Sequence, residues 1–131
     1  IKQQAENALQ DIGIKVKDVD EPVVSLSGGE RQSIAIGRAV HFGSQLLILD
    51  EPTSALSIGE TRKVLKYIDE ARSRGLGVIF ITHNLHHVFE VSDRITILHH
   101  GQIAGDFPCN QISLEETAEM IMGAPPPDHL L

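Results

Sequence analysis

Two short segments of this sequence contain residues that could bind a phosphate group and activate a water molecule. In the first, Ser27 and Glu30 have the spacing of a capping box, which predicts that a helix begins there. Gly28 and Gly29 lack side chains, so an anion could approach the free amides at the positive end of the helix dipole. We interpret this segment as a phosphate site, although an ordinary capped helix after a plain turn is the simpler interpretation when the segment is considered alone.

The second segment is an apolar run, Leu46–Leu49, followed directly by Asp50 and Glu51. The run predicts a short strand buried on both faces, and Pro52 disfavours helical geometry at Glu51, so the strand should end at the two acids. An unpaired carboxylate is costly at the end of a buried strand, and a divalent cation is its natural partner. Successive strand residues point to opposite sides, so the two acids should have different roles. Taken alone, two acids that open a solvated loop would explain the segment equally well.

A second apolar strand is predicted at residues 78–82, where it ends at His83. Between the two strands, residues 58–74 carry apolar side chains at helical spacing, so the three elements predict a βαβ unit with parallel strands. Ligands of open parallel sheets bind beyond the carboxyl ends of the strands, where Asp50, Glu51 and His83 should all lie. A lone histidine at such a place is more often structural, but this one would share an edge with an acid pair.

The remaining elements follow from periodicity and turn residues. Helices are predicted at residues 1–12, from Ser27 to Gly43, around residues 85–89 and at about 113–122. Ile95–Leu98 predicts a strand, with a hairpin turn at His99, His100 and Gly101. Because His83 closes a strand while His86 and His87 fall in the next helix, we do not interpret these histidines as a metal cluster.

Composition excludes several classes of function. The chain has 131 residues, enough for one domain, and a formal net charge of −7. This acidic balance argues against a nucleic-acid-binding surface and against a basic membrane-binding patch. Cys109 is the one cysteine, so no internal disulfide is possible. No apolar run approaches the roughly 18 residues that span a bilayer.

In their order along the chain, these segments resemble the C-terminal half of an ABC-type ATPase domain, the nucleotide-binding subunit of ABC transporters. Residues 26–30 match the LSGGQ signature, with Glu30 in place of the usual glutamine, and residues 46–51 match the Walker B strand. Residues 52–56 match the start of the D-loop, and His83 matches the switch histidine. Ser57 stands where the family usually has an aspartate.

The resemblance implies an α/β chain with a partial P-loop NTPase fold, in which a parallel-sheet core with the βαβ unit is followed by a C-terminal hairpin and helix. Residues 1–45 would be the end of the helical subdomain, and residues 46–131 a portion of the catalytic core with the C-terminal tail. No G-x-x-x-x-G-K-[ST] motif occurs in the sequence, so the P-loop strand is expected to be absent. That strand lies beside the strand before His83 in the family, so we expect a gap in the sheet and marginal stability of the isolated chain.

The same resemblance implies hydrolysis of ATP with Mg²⁺ as cofactor. Asp50 would hold Mg²⁺ through water, Glu51 would act as general base, and His83 would contact the γ-phosphate. The signature would bind ATP held by another domain, and the D-loop would lie at the same interface. These two sets are Ser27, Gly28, Gly29 and Glu30 for the signature, and Ser54, Ala55, Leu56 and Ser57 for the D-loop.

The partners implied are a second ATPase domain, in a homodimer, transmembrane permease subunits and, indirectly, a solute-binding protein, but no nucleic acid. The chain would then lie at the cytoplasmic face of the inner membrane, attached through the permease. Residues 59–62 and 82–87 look closest to the ATPases of bacterial carbohydrate importers. The isolated chain, a fragment without a P-loop, should be inactive. The alternatives are an ABC-class ATPase of chromosome maintenance or repair, and a non-catalytic interaction module.

Overall fold

The chain folds into two compact units that meet in sequence between Ile81 and Thr82. The computed structural model describes residues 2–11, 13–15 and 18–131. Within the first unit these form α1 (Lys2–Asp11), α2 (Gly28–His41), β1 (Leu46–Asp50), α3 (Ile58–Ser73) and β2 (Gly77–Ile81). The second unit contains α4 (Leu85–Val91), β3 (Arg94–His99), β4 (Gln102–Pro108) and α5 (Leu114–Ile121).

The helix boundaries follow the local signals in the sequence. Serines cap α2, α3 and α5, and each helix begins with a complete capping box. Gly43 and Gly75 follow α2 and α3 with positive φ, as expected of glycines that end helices. The first predicted helix is confirmed over Lys2–Asp11, while its predicted end residues 1 and 12 lie outside the described residues.

Strands β1 and β2 pair in parallel, with Leu46 opposite Gly77 and Asp50 opposite Ile81. Helix α3 connects them and packs against β2, so the predicted βαβ unit is confirmed. Its buried stripe, Val64, Leu65, Ile68 and Ala71, has helical spacing and forms the centre of the first unit's core. Both strands therefore end at the same edge of the sheet.

The prediction that the strand Leu46–Leu49 is buried on both faces is wrong for the described residues. Leu49 is buried, but Leu46 and Ile48 on the other face are 53% and 60% exposed. Ile79 and Ile81 of the neighbouring strand β2 lie on the same exposed face and are about half exposed. Strand side chains alternate in direction, so a continuous apolar run places apolar side chains on both faces of the sheet. The described residues bury only one of these two faces.

In the second unit, β3 and β4 form the predicted antiparallel hairpin, and α5 packs against it. His100 and Gly101 both have positive φ at the turn, as two-residue hairpin loops require. Side chains from α4, the hairpin and α5 form one core, which consists of Val88, Ile95, Ile97, Ile112 and Met120. Arg94 donates to both carboxylate oxygens of Asp106 across the hairpin, at 2.8 and 2.9 Å.

The described strands form two separate two-stranded sheets, β1 with β2 and β3 with β4. The gap expected beside the strand before His83 remains a prediction of the sequence. None of the helices of residues 2–11, 13–15 and 18–131 has the length and apolar character needed to cross a bilayer.

Gly105 on β4 tests the packing of the second unit. A Cβ there would lie 2.3 Å from Cε2 of the Phe107 ring and 2.7 Å from Cε of Met120, which is 1% exposed. We expect Gly105→Ala to destabilise the chain by about 1–3 kcal/mol, because buried neighbours must shift. Gly59→Ala is the control, since no neighbouring atom lies within 4 Å of its Cβ position in the first turn of α3.

The measurement is urea unfolding followed by far-UV circular dichroism. Gly59→Ala should be neutral or slightly stabilising, because alanine has the higher helix propensity. Equal unfolding midpoints for Gly105→Ala and wild type would contradict the close packing of Phe107 and Met120 against Gly105.

Candidate functional site

The predicted phosphate site lies at the N-terminus of α2. The Ser27 hydroxyl accepts from the Glu30 amide at 3.2 Å, and Oε2 of Glu30 accepts from the Ser27 amide at 2.8 Å, so the predicted capping box is confirmed. Ser33, one turn later, donates its hydroxyl to the Gly29 carbonyl at 2.7 Å and is buried. The first turn is therefore held rigidly, with the amides of its glycines at the positive end of the helix.

The start of α3 lies directly against this turn. A Cβ on Gly28 would be 2.9 Å from Cδ2 of Leu56, and one on Gly29 would be 2.9 Å from Cβ of Glu60. Neither position has room for a side chain, so the close approach of the two helix ends requires glycine. The structure thus brings the signature segment together with Leu56 of the predicted D-loop and with Glu60.

Ser57 occupies the N-cap of α3, which explains why serine can stand where the family usually has aspartate. Its hydroxyl accepts from the Glu60 amide at 3.3 Å, and Oε2 of Glu60 accepts from the Ser57 amide at 3.1 Å. Serine and aspartate are comparably good N-cap residues, so the exchange preserves the helix start.

Glu60 is the site residue that the sequence interpretation missed. Glu60 is half-buried as a residue, and its carboxylate bonds to Ser57 and interacts with the Ser27 hydroxyl and the Gly29 amide. These hydrogen bonds, with the Ser57 amide contributing most, hold the pKa of the Glu60 carboxyl below its ordinary value of 4.5. The signal was present, because Ser57 and Glu60 repeat the spacing of Ser27 and Glu30. That spacing predicts the cap of α3 but not the contact with α2.

The acid pair lies at the end of β1. Asp50 is the last strand residue and is exposed, whereas Glu51 is half-buried. The Glu51 amide donates to the Ile81 carbonyl at 2.8 Å, which extends the parallel pairing by one bond. Glu51 has a φ of 46°, in the left-handed region that side chains rarely adopt. Such strain is concentrated at functional sites, so it marks Glu51 as a candidate for function.

The loop between β1 and α3 has a defined conformation. The Ser54 amide donates to the Glu51 carbonyl at 3.1 Å across Pro52, and Thr53 is buried. Ala55 also has a positive φ, of 59°, and is exposed together with Ser54. Two left-handed residues within one short loop turn the chain from the end of β1 to the cap of α3.

His83 follows β2 and belongs to the second unit, where its side chain is exposed. The Asn84 amide beside it donates to the Thr82 hydroxyl at 3.1 Å, and Asn84 caps α4. Asp50 and Glu51 lie in the first unit, so the shared crevice of the acids and His83 remains a prediction of the sequence.

Two cavities adjoin the signature helix. A recess of about 280 Å³ lies at its N-terminus, next to the start of α3, and a larger groove of about 480 Å³ runs between α1 and α2. The recess contains two cations, Lys15 and Lys63, besides the carboxylates of Glu30 and Glu60. The groove is mainly apolar and includes Val23, Ile34 and Phe42. The recess therefore has the polar groups that could interact with an anion.

Comparison with known proteins finds relatives along most of the chain. A family model described as ABC transporter matches residues 1–54. The xylose/arabinose import ATP-binding protein XylG of Sulfolobus acidocaldarius is 39% identical over 119 residues, which are 91% of this chain and 47% of that protein. The fructose import ATP-binding protein FrcA of Rhizobium meliloti is 46% identical over 98 residues, which are 74% of this chain and 38% of that protein. The chain thus spans less than half the length of either relative.

A solved ABC transporter in an inward-facing conformation resembles this chain with a TM-score of 0.78 and 31% identity. The match covers 94% of this chain and 49% of that one. The α/β fold predicted from the sequence is therefore confirmed.

The lowered pKa of Glu60 predicts how stability depends on pH. A carboxyl whose pKa is lower in the folded chain stabilises it above the unfolded value of 4.5, and this contribution is lost as the pH falls through the lower folded value. Glu60→Gln keeps the capping pattern but cannot titrate. We therefore expect the difference in unfolding free energy between wild type and Glu60→Gln to be constant above about pH 5.5 and to shrink below pH 4.5.

Urea unfolding between pH 3 and pH 7 measures this difference. Asp69→Asn is the control, because Asp69 is an exposed acid on the same helix, paired only locally with Arg72 at 2.8 Å. Parallel pH profiles for wild type and Glu60→Gln would contradict the contacts assigned to Glu60.

Proposed function

Because this chain belongs to the ABC transporter ATPase family, we propose that it is the C-terminal part of an ATP-hydrolysing subunit that energises the import of a sugar. The observation on which this proposal rests is the N-terminus of α2, where Ser27, Gly28 and Gly29 lie at the positive end of the helix beside the start of α3. Both curated relatives described above are named as sugar import ATP-binding proteins, which supports the substrate class.

The acid pair fits a magnesium ion by its chemistry. Mg²⁺ prefers oxygen ligands and usually binds through one or two carboxylates together with substrate phosphates and water. Asp50, exposed at the end of β1, is suited to hold it through water. Residues 2–11, 13–15 and 18–131 contain no group of three or more metal-ligating side chains, so phosphate and water would have to supply the remaining ligands. When bound, the ion would neutralise negative charge on the phosphates.

The remaining roles follow the positions of the side chains. Glu51, held by a strained backbone directly after Asp50, would orient and deprotonate the attacking water. His83, exposed after the neighbouring strand, would contact the γ-phosphate. Ser27, Gly28, Gly29 and Glu30 would close over ATP bound to a second ATPase domain, because a helix N-terminus attracts phosphate. Ser54, Ala55, Leu56 and Ser57 would lie at the same interface.

The partners of this function are a second ATPase domain, transmembrane permease subunits and, through them, a solute-binding protein. The subunit would thus be peripheral at the cytoplasmic face of the inner membrane. The half-exposed apolar face of β1 and β2 supports the idea that a further part of the domain completes the sheet. That part would supply the P-loop, since this sequence has none. The chain by itself should therefore not hydrolyse ATP.

Complementation tests this function. We expect no ATP turnover by the purified chain and measurable turnover after refolding with a P-loop-containing N-terminal half from a sugar-importer relative. Glu51→Gln should reduce the restored rate by about 10²- to 10⁴-fold, the range for loss of a general base. Asp69→Asn, an exposed acid of α3 at a distance from the acid pair along the chain, should leave the rate unchanged.

Two results would contradict the proposal. If the complemented protein binds ATP but Glu51→Gln hydrolyses it at the wild-type rate, Glu51 is not the base. If the chain associates with the N-terminal half yet gives no turnover, it acts as an interaction module instead.

A further inference from the structure

The Glu60 carboxylate is shared between the N-termini of two helices. Its Oε2 accepts from the Ser57 hydroxyl at 2.8 Å and from the Ser57 amide at 3.1 Å, both at the start of its own helix. It also lies close enough to the start of α2 to interact with the Ser27 hydroxyl and the Gly29 amide, and both interactions lower the pKa of the Glu60 carboxyl. The backbone approach is close, because a Cβ on Gly29 would lie 3.2 Å from Oε1 of Glu60.

This position is the one that a phosphate would need. Free amides at a helix N-terminus bind anions, and a carboxylate there uses the same donors as a phosphate oxygen. A phosphate that approaches Ser27 and Gly29 would meet a negative charge already close to them. Repulsion between like charges and loss of the interactions with Glu60 both oppose its entry.

We propose that Glu60 is an internal competitor for the phosphate-binding end of α2, which must leave the Gly29 amide before a nucleotide phosphate can bind there. The inference rests on the proposed function, in which Ser27 and Gly29 receive ATP from a second domain. The inference adds a regulatory contact to that function. Phosphate binding at the signature would displace Glu60 and so change the cap of α3, which ends the loop that begins at Glu51.

The recess beside Glu60 provides a place for the displaced carboxylate. Lys63 lies three residues further along α3 and lines the same recess. Residues at this spacing are neighbours on a helix surface, so the displaced carboxylate could pair with the Lys63 ammonium group. Lys15 also lines the recess, whereas Glu30 remains in the cap of α2.

The test measures ATP-dependent association of this chain with a P-loop-containing ATPase domain of the same family whose general base is replaced by glutamine. We expect Glu60→Gln to lower the dissociation constant about 5- to 10-fold, as removal of one like charge from a partly solvated site predicts. Glutamine preserves the capping box, so the start of α3 should remain folded. Asp69→Asn makes the same charge change nine residues further along α3, about 13 Å away, and should leave the dissociation constant unchanged.

A second measurement examines the contact in the chain alone. In wild type, the amide proton shift of Gly29 should follow the titration of the Glu60 carboxyl below pH 4.5, and this step should disappear in Glu60→Gln. The absence of such a step in wild type would overturn the inference.

The outcomes separate the inference from the function on which it rests. If wild type associates in an ATP-dependent manner and Glu60→Gln associates equally or more weakly, Glu60 does not compete with phosphate and the proposed function stands. If neither protein responds to ATP, the proposed function fails and the inference fails with it.

Discussion

The structure depends on how two neighbouring helix N-termini satisfy their free amides. Each first turn leaves amide donors without partners inside the helix, and the positive ends of α2 and α3 lie side by side. Each helix is capped by a serine together with the glutamate three positions later, and the Glu60 carboxylate of α3 also interacts with Ser27 and Gly29 of α2. Negative charge beside two positive helix ends reduces their mutual repulsion and favours the close approach at Gly28 and Gly29.

The same arrangement connects the two sequence motifs. The loop from Glu51 to Ser57 begins at the acid pair and ends at the cap of α3, which touches the signature turn through Leu56 and Glu60. Left-handed backbone at Glu51 and Ala55 makes this short path possible, at a cost that the parallel pairing at Ile81 and the cap at Ser57 offset. A change at the signature could therefore alter the loop that holds the proposed base.

One apolar face of the sheet formed by β1 and β2 is left uncovered by the described residues. The apolar residues Leu46, Ile48, Ile79 and Ile81 suit a sheet with neighbours on both faces, and the described residues cover one face. The second unit, in contrast, encloses a core of its own from the hairpin, α4 and α5.

The sequence by itself determined the local features, because they depend on residues close together in the chain. Serine caps with glutamate three positions later located α2, and apolar runs and helical spacing located β1, α3 and β2. The acid pair and the glycine-rich turn at residues 27–30 could be located from the sequence for the same reason. Tertiary structure alone decided that Leu46 and Ile48 face outward and that Glu51 is left-handed. It also brought Glu60 to Gly29, because a contact between residues 31 positions apart depends on the packing of two helices, which no local pattern encodes.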